Sequence, residues 1–217
     1  MRSHRRRLAL RTSHFALAVL LAACAPKPAA APDAPAPTPP PAASAPALRL
    51  AGQKVLVLPV QAVNGLSGEA QDRLERELLF ALGDREPRAT WIAPEVLERA
   101  LRRSPGFAGS PRAVPGDPMM HHRERRVVEP LAGELRRYAA LTDVRLVLLP
   151  RAAAWVRADG TDPGRVRISA ALVDARSGDL VWWGEAEGDP RPEADTPALA
   201  SAAAALAARI AAPGAQP

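Results

Sequence analysis

Residues 25–47 consist almost entirely of proline and alanine, and this stretch decides which part of the chain can fold. Nine of its 23 residues are proline and ten are alanine. Such a composition buries too little apolar surface to offset the entropy lost when a backbone is ordered. Proline-rich chains favour extended polyproline II, so at about 3.1 Å per residue the stretch predicts a semi-rigid spacer of roughly 70 Å. A proline-rich ligand for an SH3-type domain is the alternative interpretation.

The residues before this spacer have the layout of an export signal. Five arginines lie between positions 2 and 11, and the apolar run 15–23 follows them. This pattern predicts a secretory signal peptide over 1–23, since the run is too short for a membrane-spanning helix. The run ends in Leu21-Ala-Ala-Cys24, and Cys24 is the only cysteine in the chain. An ordinary secreted protein with a chance cysteine is the alternative.

The segment that ends at Cys24 resembles the lipobox of bacterial lipoproteins. The resemblance implies cleavage just before Cys24 and attachment of a diacylglycerol, with acyl chains such as palmitate, to its thiol. Two or more acyl chains hold a protein firmly at a membrane, whereas a single chain binds only marginally. In Gram-negative lipoproteins an Asp after the Cys signals retention in the inner membrane. Ala25 stands there, which implies a lipid-anchored protein of the outer membrane that faces the periplasm.

The formal charge of +6 would ordinarily indicate a nucleic-acid or membrane surface. Loss of residues 1–23 removes five of the 29 basic residues and no acidic one. The remainder carries 24 basic and 23 acidic residues. Most of the positive charge therefore belongs to the export signal, and we expect no nucleic-acid partner.

The predicted organisation is a signal peptide (1–23), a lipidated Cys24 with its spacer (24–47), a folded partner-binding domain (48–212) and a short tail (213–217). Apolar runs and alternation predict strands at 54–60, 88–92, 144–149 continuing toward Trp155, 165–175 and 180–187. Helical spacing and capping residues predict helices at 67–82, with Gly83 at its end, from Pro94 onward, at 128–141 and at 196–211. The order β-α-β-α-loop-α-β-β-β-α predicts an α/β sandwich with a mixed sheet and flanking helices.

A long loop, 104–127, interrupts this order with seven Pro and Gly residues. It holds the one metal-like cluster of the sequence, made by His121, His122 and Glu124, but a zinc site needs three or four converging ligands and no further ligand is well placed. Nucleophile-elbow, phosphate-loop and dinucleotide motifs do not occur. We therefore predict no catalytic residue, metal, cofactor or small-molecule substrate. An envelope enzyme that uses the loop as a lid is the least favoured alternative.

Three sequence segments resemble a group of bacterial envelope lipoproteins. The group includes activators of penicillin-binding proteins, the curli secretion subunits and the N-terminal domain of the Tol-Pal protein B. The segments are the first strand, 55–60 (VLVLPV), a later strand at 141–148 (LTDVRLVL) and a hairpin at 172–182 (LVDARSGDLVW). The hairpin is the most specific, because Asp174 can cap its turn, Gly178 accepts a positive φ and Trp182 can anchor the sheet.

The resemblance implies the α/β fold and a non-catalytic module that binds or regulates an envelope protein, either a cell-wall synthase or a secretion or assembly complex. A self-assembling subunit of a secretion complex is the alternative function. Candidate partner contacts are the basic residues Arg123, Arg125 and Arg126 and the aromatic Trp183. Adjacent strand residues face opposite sides of a sheet, so we expect one of Trp182 and Trp183 in the core and the other either covered by a helix or exposed to a partner.

Overall fold

A computed structural model describes residues 49–114, 120–121, 125–157 and 163–212, with the backbone only at 120–121. All of them belong to one compact unit. The predicted signal peptide, Cys24, the spacer and the tail lie outside the described residues. The four helices of the described part are α1 (Gly68–Arg85), α2 (Pro94–Arg103), α3 (Leu131–Thr142) and α4 (Thr196–Ala211).

Eight strands form one mixed sheet in this part of the chain. They are β1 (Lys54–Val57), β2 (Ala62–Asn64), β3 (Thr90–Ile92), β4 (Met120–His121), β5 (Arg126–Val127), β6 (Leu146–Val156), β7 (Arg165–Asp174) and β8 (Asp179–Glu187). The order is β3-β1-β6-β7-β8-β5-β4, and β2 pairs with the second half of β6. The β3-β1-β6 pairs are parallel, whereas β6, β7 and β8 form an antiparallel meander. The predicted mixed sheet with flanking helices is confirmed.

Strand β1 lies between β3 and β6 and is buried on both faces. Val55 and Val57 contact the core beneath α1 and α4, whereas Leu56 and Leu58 contact the core beneath α2 and α3. A continuous apolar run is what such a doubly covered strand requires. The sheet therefore separates two hydrophobic cores, with one pair of helices over each.

The β7–β8 hairpin follows the pattern that the sequence predicts. Val166, Ile168 and Leu172 alternate toward the α1/α4 core, where Trp182 joins them at 1% exposure. Gly178 adopts a φ of 81° in the turn, a conformation that glycine reaches without steric cost. Gly178 thus allows the turn of the hairpin, and Trp182 anchors the hairpin in the core.

Residues 104–114, the first part of the predicted loop, are held to the rest of the domain by side chains. The Gln61 amide donates to the carbonyl of Pro111 at 2.9 Å and accepts from the Val114 N–H at 3.0 Å. The Tyr138 hydroxyl donates to the carbonyl of Gly109 at 3.1 Å, and burial raises its pKa to about 12. This half of the loop is irregular but firmly attached over α3.

The second part of the loop differs from the prediction, because 120–121 and 126–127 form the short strands β4 and β5. The three-residue β2 was also not predicted. All three of its residues are exposed, so burial imposes no alternating apolar pattern on it. Strands of two or three residues are stabilised by pairing with a neighbouring strand. The periodicity of apolar residues along the chain does not show which strands will pair.

Two predicted helix ends are also wrong. Helix α1 continues past Gly83 to Arg85, since Gly83 has no positive φ and the Glu86 N–H still donates to the carbonyl of Leu82 at 2.9 Å. Helix α3 begins at Leu131 and not at 128, because Pro130 occupies the N-cap position. The other predicted elements agree with the structure to within about two residues, apart from the first strand, which ends at Val57. The strand predicted from 144 continues past Trp155 to Val156, as expected.

The continuation of α1 through Gly83 gives a stability prediction. Glycine inside a helix costs roughly 0.5–1 kcal/mol relative to alanine, and a Cβ at this position meets nothing within 4 Å. We expect Gly83→Ala to raise the free energy of unfolding by about 0.5–1 kcal/mol in chemical denaturation. A loss of stability would mean that the helix ends at Gly83.

Gly188 provides the matched contrast, because it follows β8 where the strand abuts α4. A Cβ there would lie 2.5 Å from Ser201 Oγ and 2.7 Å from the Ala202 nitrogen. Overpacking of this kind costs typically about 1–3 kcal/mol. The same glycine-to-alanine change should therefore lower the free energy of unfolding at 188 and raise it at 83.

Candidate functional site

The candidate site lies where the connection from α3 to β6 meets the β7–β8 turn. Helix α3 ends at Asp143, which adopts the left-handed conformation with φ 53° and ψ 50°. Asp tolerates this conformation better than most residues, and the N–H groups of Asp143 and Val144 both donate to the carbonyl of Ala139. Asp143 also accepts a hydrogen bond from Lys54 at 2.8 Å, which lowers its pKa. The helix end is thereby tied to the start of β1.

Asp174 joins this connection to the hairpin turn. Its Oδ2 accepts from Nε of Arg145 at 2.6 Å, and its Oδ1 accepts from the N–H groups of Arg176 and Ser177 at 3.0 and 3.4 Å. The Asp174 side chain is only 7% exposed. Burial raises its pKa, but the hydrogen bonds and the charge of Arg145 outweigh burial and lower it below 3.8. The turn-capping role that the sequence predicts for Asp174 is confirmed.

The two segments enclose a groove of about 340 Å³. We call it the arginine groove, since Arg136, Arg145 and Arg176 line it, with Asp143 as an acidic residue of the lining. Its apolar lining comes from four small residues: Ala139, Ala140, Val144 and Ala175. The volume lies near the lower end of the range for small-ligand sites, so the groove suits one or two side chains of a partner.

The three arginines differ in how they are held. Arg145 binds Asp174, and Arg136 forms an ion pair with Glu129. Arg176 has no ion pair within the described part of the chain and is exposed. A guanidinium carries five N–H donors, so the pairs with Glu129 and Asp174 occupy only some of the donors of Arg136 and Arg145. The groove therefore presents positively charged donors above an alanine-rich floor.

The predicted basic patch is divided by the structure. Arg125 is half-buried and donates to the carbonyls of Leu180 and Val181 in β8, at 3.4 and 3.3 Å. Arg126 is exposed and pairs through its backbone with Asp179, beside the hairpin turn. Arg123 lies outside the described residues. Arg126 thus lies next to the turn that carries Arg176, whereas Arg125 holds β5 to β8.

The two adjacent tryptophans point to opposite faces of the sheet, as expected. Trp182 is buried in the α1/α4 core, and Trp183 packs half-buried against the α2/α3 core. Trp183 does not line the arginine groove. Its predicted role as a partner contact remains a prediction.

The metal-like cluster of the sequence, for which we predict no metal, lies mostly outside the described residues. His122 and Glu124 lie outside the described residues, and of His121 only the backbone is described. Within the described ranges, no group of three His, Cys, Asp or Glu side chains converges in the way that a metal ion needs.

A buried carboxyl group, Glu75 on α1, has a structural explanation. It accepts from the N–H of Val60 at 3.1 Å and from Arg112 at 3.4 Å. Burial raises its pKa above 4.5, although Arg112 and the Val60 N–H oppose the shift. Arg112 also donates to Glu98 at 3.3 Å, so the cluster joins α1, α2 and the loop.

Sequence reasoning missed Arg136, Arg145 and Arg176, although signals for two of them were present. Arg145 follows the strand-introducing Asp143, and Arg176 lies inside the hairpin motif at 172–182. Neither residue belongs to a run of basic residues, whereas Arg123, Arg125 and Arg126 lie within four consecutive positions. Only the fold brings the separate arginines together.

No protein-family model and no curated protein matches this chain. Solved structures do match. PelC of Paraburkholderia phytofirmans, solved as a dodecamer, has 20% identity and a TM-score of 0.43, covering 78% of this chain and 92% of PelC.

Two further similar structures are the LpoB C-terminal domain of Salmonella enterica and the lipoprotein GNA1162 of Neisseria meningitidis. Both have a TM-score of 0.40 and cover 64% of this chain. The identity is 18% over 84% of the LpoB domain and 16% over 81% of GNA1162. Structures of LpoB and of a lipoprotein match the envelope lipoprotein group that the sequence segments resemble. At these identities and TM-scores the likeness assigns no function or partner to this chain.

The Asp174 contacts give a prediction for stability and its pH dependence. Asp174→Asn removes the charge that Arg145 binds, and hydrogen bonds to charged groups contribute about 1.5–3 kcal/mol. Because the folded-state pKa is lowered, the contribution is present above about pH 3.9 and is lost as pH falls through the lowered pKa. We expect a large destabilisation at neutral pH, measured by denaturant titration, that shrinks steadily in acid.

Asp179→Asn is the matched control, since Asp179 is exposed in the same hairpin. This variant should change the free energy of unfolding by less than about 0.5 kcal/mol. If the two variants were equally destabilised at every pH, the special role of Asp174 would be wrong.

Proposed function

We propose that this chain is a non-catalytic lipoprotein of the bacterial cell envelope, anchored at the outer membrane through Cys24, whose α/β domain binds or regulates an envelope protein. The observation that carries the proposal is the order of three features along the chain. A lipobox-like segment ends at Cys24, a proline- and alanine-rich spacer follows, and the α/β domain behind it presents the arginine groove.

The anchoring part of the proposal is supported by the sequence. The single cysteine stands at the one position where a lipoprotein is modified, after an arginine-rich region and a short apolar run. Among the described helices, none is long and apolar enough to cross a membrane. A lipid on Cys24 and the spacer would hold the domain at a distance from the bilayer.

The binding part of the proposal is supported by the arginine groove. Interfaces are enriched in arginine relative to the rest of a protein surface, and Arg145 is held in a fixed orientation by the buried Asp174. The domain therefore offers a positioned charged surface, which is a suitable contact for another protein. A cell-wall synthase or a secretion or assembly complex is the class of partner that the sequence resemblance implies.

A site-specific cross-linking experiment tests the binding function. A photo-reactive amino acid in place of Arg176 should give a discrete adduct in intact cells, whereas the same amino acid in place of Arg76, on α1 across the sheet, should not. An adduct with a different envelope protein supports the proposal. An adduct of two copies of this chain would instead support the self-assembling subunit, and equal adducts at both positions would contradict a role for the groove.

Loss of the anchor thiol gives a direct prediction. Cys24→Ser removes the nucleophile that receives the lipid, so the chain should no longer incorporate labelled palmitate. It should also leave the membrane fraction after a high-salt wash. Labelling of growing cells followed by membrane fractionation measures both effects. Retention of label and membrane association in this variant would contradict lipidation at Cys24.

Ala25 supplies two controls. Ala25→Ser is a substitution as small as Cys24→Ser, one residue further along the chain. It should leave the incorporation of labelled palmitate intact. Ala25→Asp introduces the residue that usually signals inner-membrane retention and should move the labelled chain to the inner membrane on a density gradient. A labelled Ala25→Asp chain that stays in the outer membrane would mean that this sorting rule does not govern the chain.

A further inference from the structure

The arginine groove has the chemistry of a carboxylate site. Arg145 uses Nε and Nη2 to bind Asp174, which leaves its remaining N–H donors on a side chain that is 64% exposed. A guanidinium fixed in this way is pre-organised, so less side-chain entropy is lost when it binds a ligand. The fixed group is well suited to a planar, two-oxygen acceptor.

The other two arginines lie beside this fixed donor. Arg176 directly follows Ala175, whose N–H donates to the carbonyl of Arg145 at 2.9 Å. Arg136 reaches the groove from α3, and its ion pair with Glu129 is exposed on both sides. Exposed ion pairs of this kind contribute little to stability, typically below about 1 kcal/mol. An incoming carboxylate can therefore compete for Arg136 and binds Arg176 without breaking an ion pair in the described structure.

The shape and charge of the groove distinguish between acidic ligands. Asp143 stands in the lining, and Asp174 and Glu129 lie behind two of the arginines. Together with Lys54, which pairs with Asp143, the three arginines exceed these three carboxylates by one positive charge. So small an excess suits one or two carboxylates better than a dense polyanion. The small side chains of Ala139 and Ala175 leave a concave floor for a short extended segment, whereas a membrane surface needs a broader cationic face.

We propose that the arginine groove binds an acidic segment of a protein partner, with one or two Asp or Glu carboxylates contacting Arg136, Arg145 and Arg176. This inference rests on the proposed binding function and adds the chemistry of the partner. The site consists of three arginines that are separate in the sequence and that the fold brings together.

A titration with the full chain, purified in mild detergent, tests the inference. The probe is a short oligo-aspartate peptide with blocked ends, and its matched counterpart is oligo-asparagine. The Arg136→Ala/Arg176→Ala double variant keeps Arg145 and its bond to Asp174. We expect it to bind oligo-aspartate about fivefold more weakly than the unaltered chain, the effect of two exposed charged contacts. Oligo-asparagine should not bind.

The control is the Arg76→Ala/Arg85→Ala double variant, which removes the same charge from α1 on the opposite face of the sheet. It should bind oligo-aspartate like the unaltered chain. No binding of oligo-aspartate, or an equal loss in both double variants, would overturn the inference, since the latter would show general charge attraction. Groove-dependent binding to vesicles of anionic phospholipid but not to the peptide would overturn it as well.

A second measurement does not depend on any variant. On titration of the unaltered chain with oligo-aspartate, the amide resonances of Ala139, Ala140 and Ala175 should shift, while those of α1 should not. Shifts confined to other surfaces would contradict the site. Failure of these titrations leaves the cross-linking and lipidation experiments unaffected, so failure of this inference and failure of the proposed function are distinguishable.

Discussion

The buried carboxylate of Asp174 is the interaction on which the candidate site depends. One oxygen binds Arg145 at the start of β6, and the other caps the β7–β8 turn through two backbone N–H groups. A buried charge is tolerated only when it is paired and hydrogen-bonded, and these three donors meet that requirement. The same contacts hold the connection between α3 and β6 beside the β7–β8 turn. The arginine groove lies between these two segments.

This arrangement explains why the hairpin motif has its particular residues. Asp174 must accept two turn N–H groups, Gly178 must adopt a positive φ, and the Trp182 ring must reach the α1/α4 core. A Cβ at Gly178 would also lie 3.2 Å from the carbonyl of Val127 in β5. The motif is therefore required by the fold, whereas Arg176, which lies within it, makes no ion pair in the described residues and can serve a ligand.

The sequence predicted the central elements because their burial is strong and periodic. Strand β1 is apolar on both faces, the β7–β8 hairpin alternates, and α4 has a capping Asp195 and a proline in its first turn. Prediction failed for β2, β4 and β5, since strands this short are fixed by pairing with a neighbouring strand and not by a periodic apolar pattern. Gly83 misled the prediction because glycine favours a helix end only where the backbone takes a positive φ, and here it does not.

The candidate site was harder to predict, because charge clustering along the chain is a poor guide to charge clustering in space. Arg125, inside the visible cluster, donates to carbonyls of β8, and Arg209 of α4 donates to the Glu185 carbonyl of the same strand. The acceptors of Arg125 lie at the start of β8 beside its pairing with β5, whereas Glu185 lies in the half of β8 that has no paired neighbour on that side in the described sheet. These arginines act in the fold, whereas Arg136, Arg145 and Arg176 become a group only after folding. A sequence search for binding residues in such a domain should therefore weigh lone arginines beside turn-capping acids above consecutive basic runs.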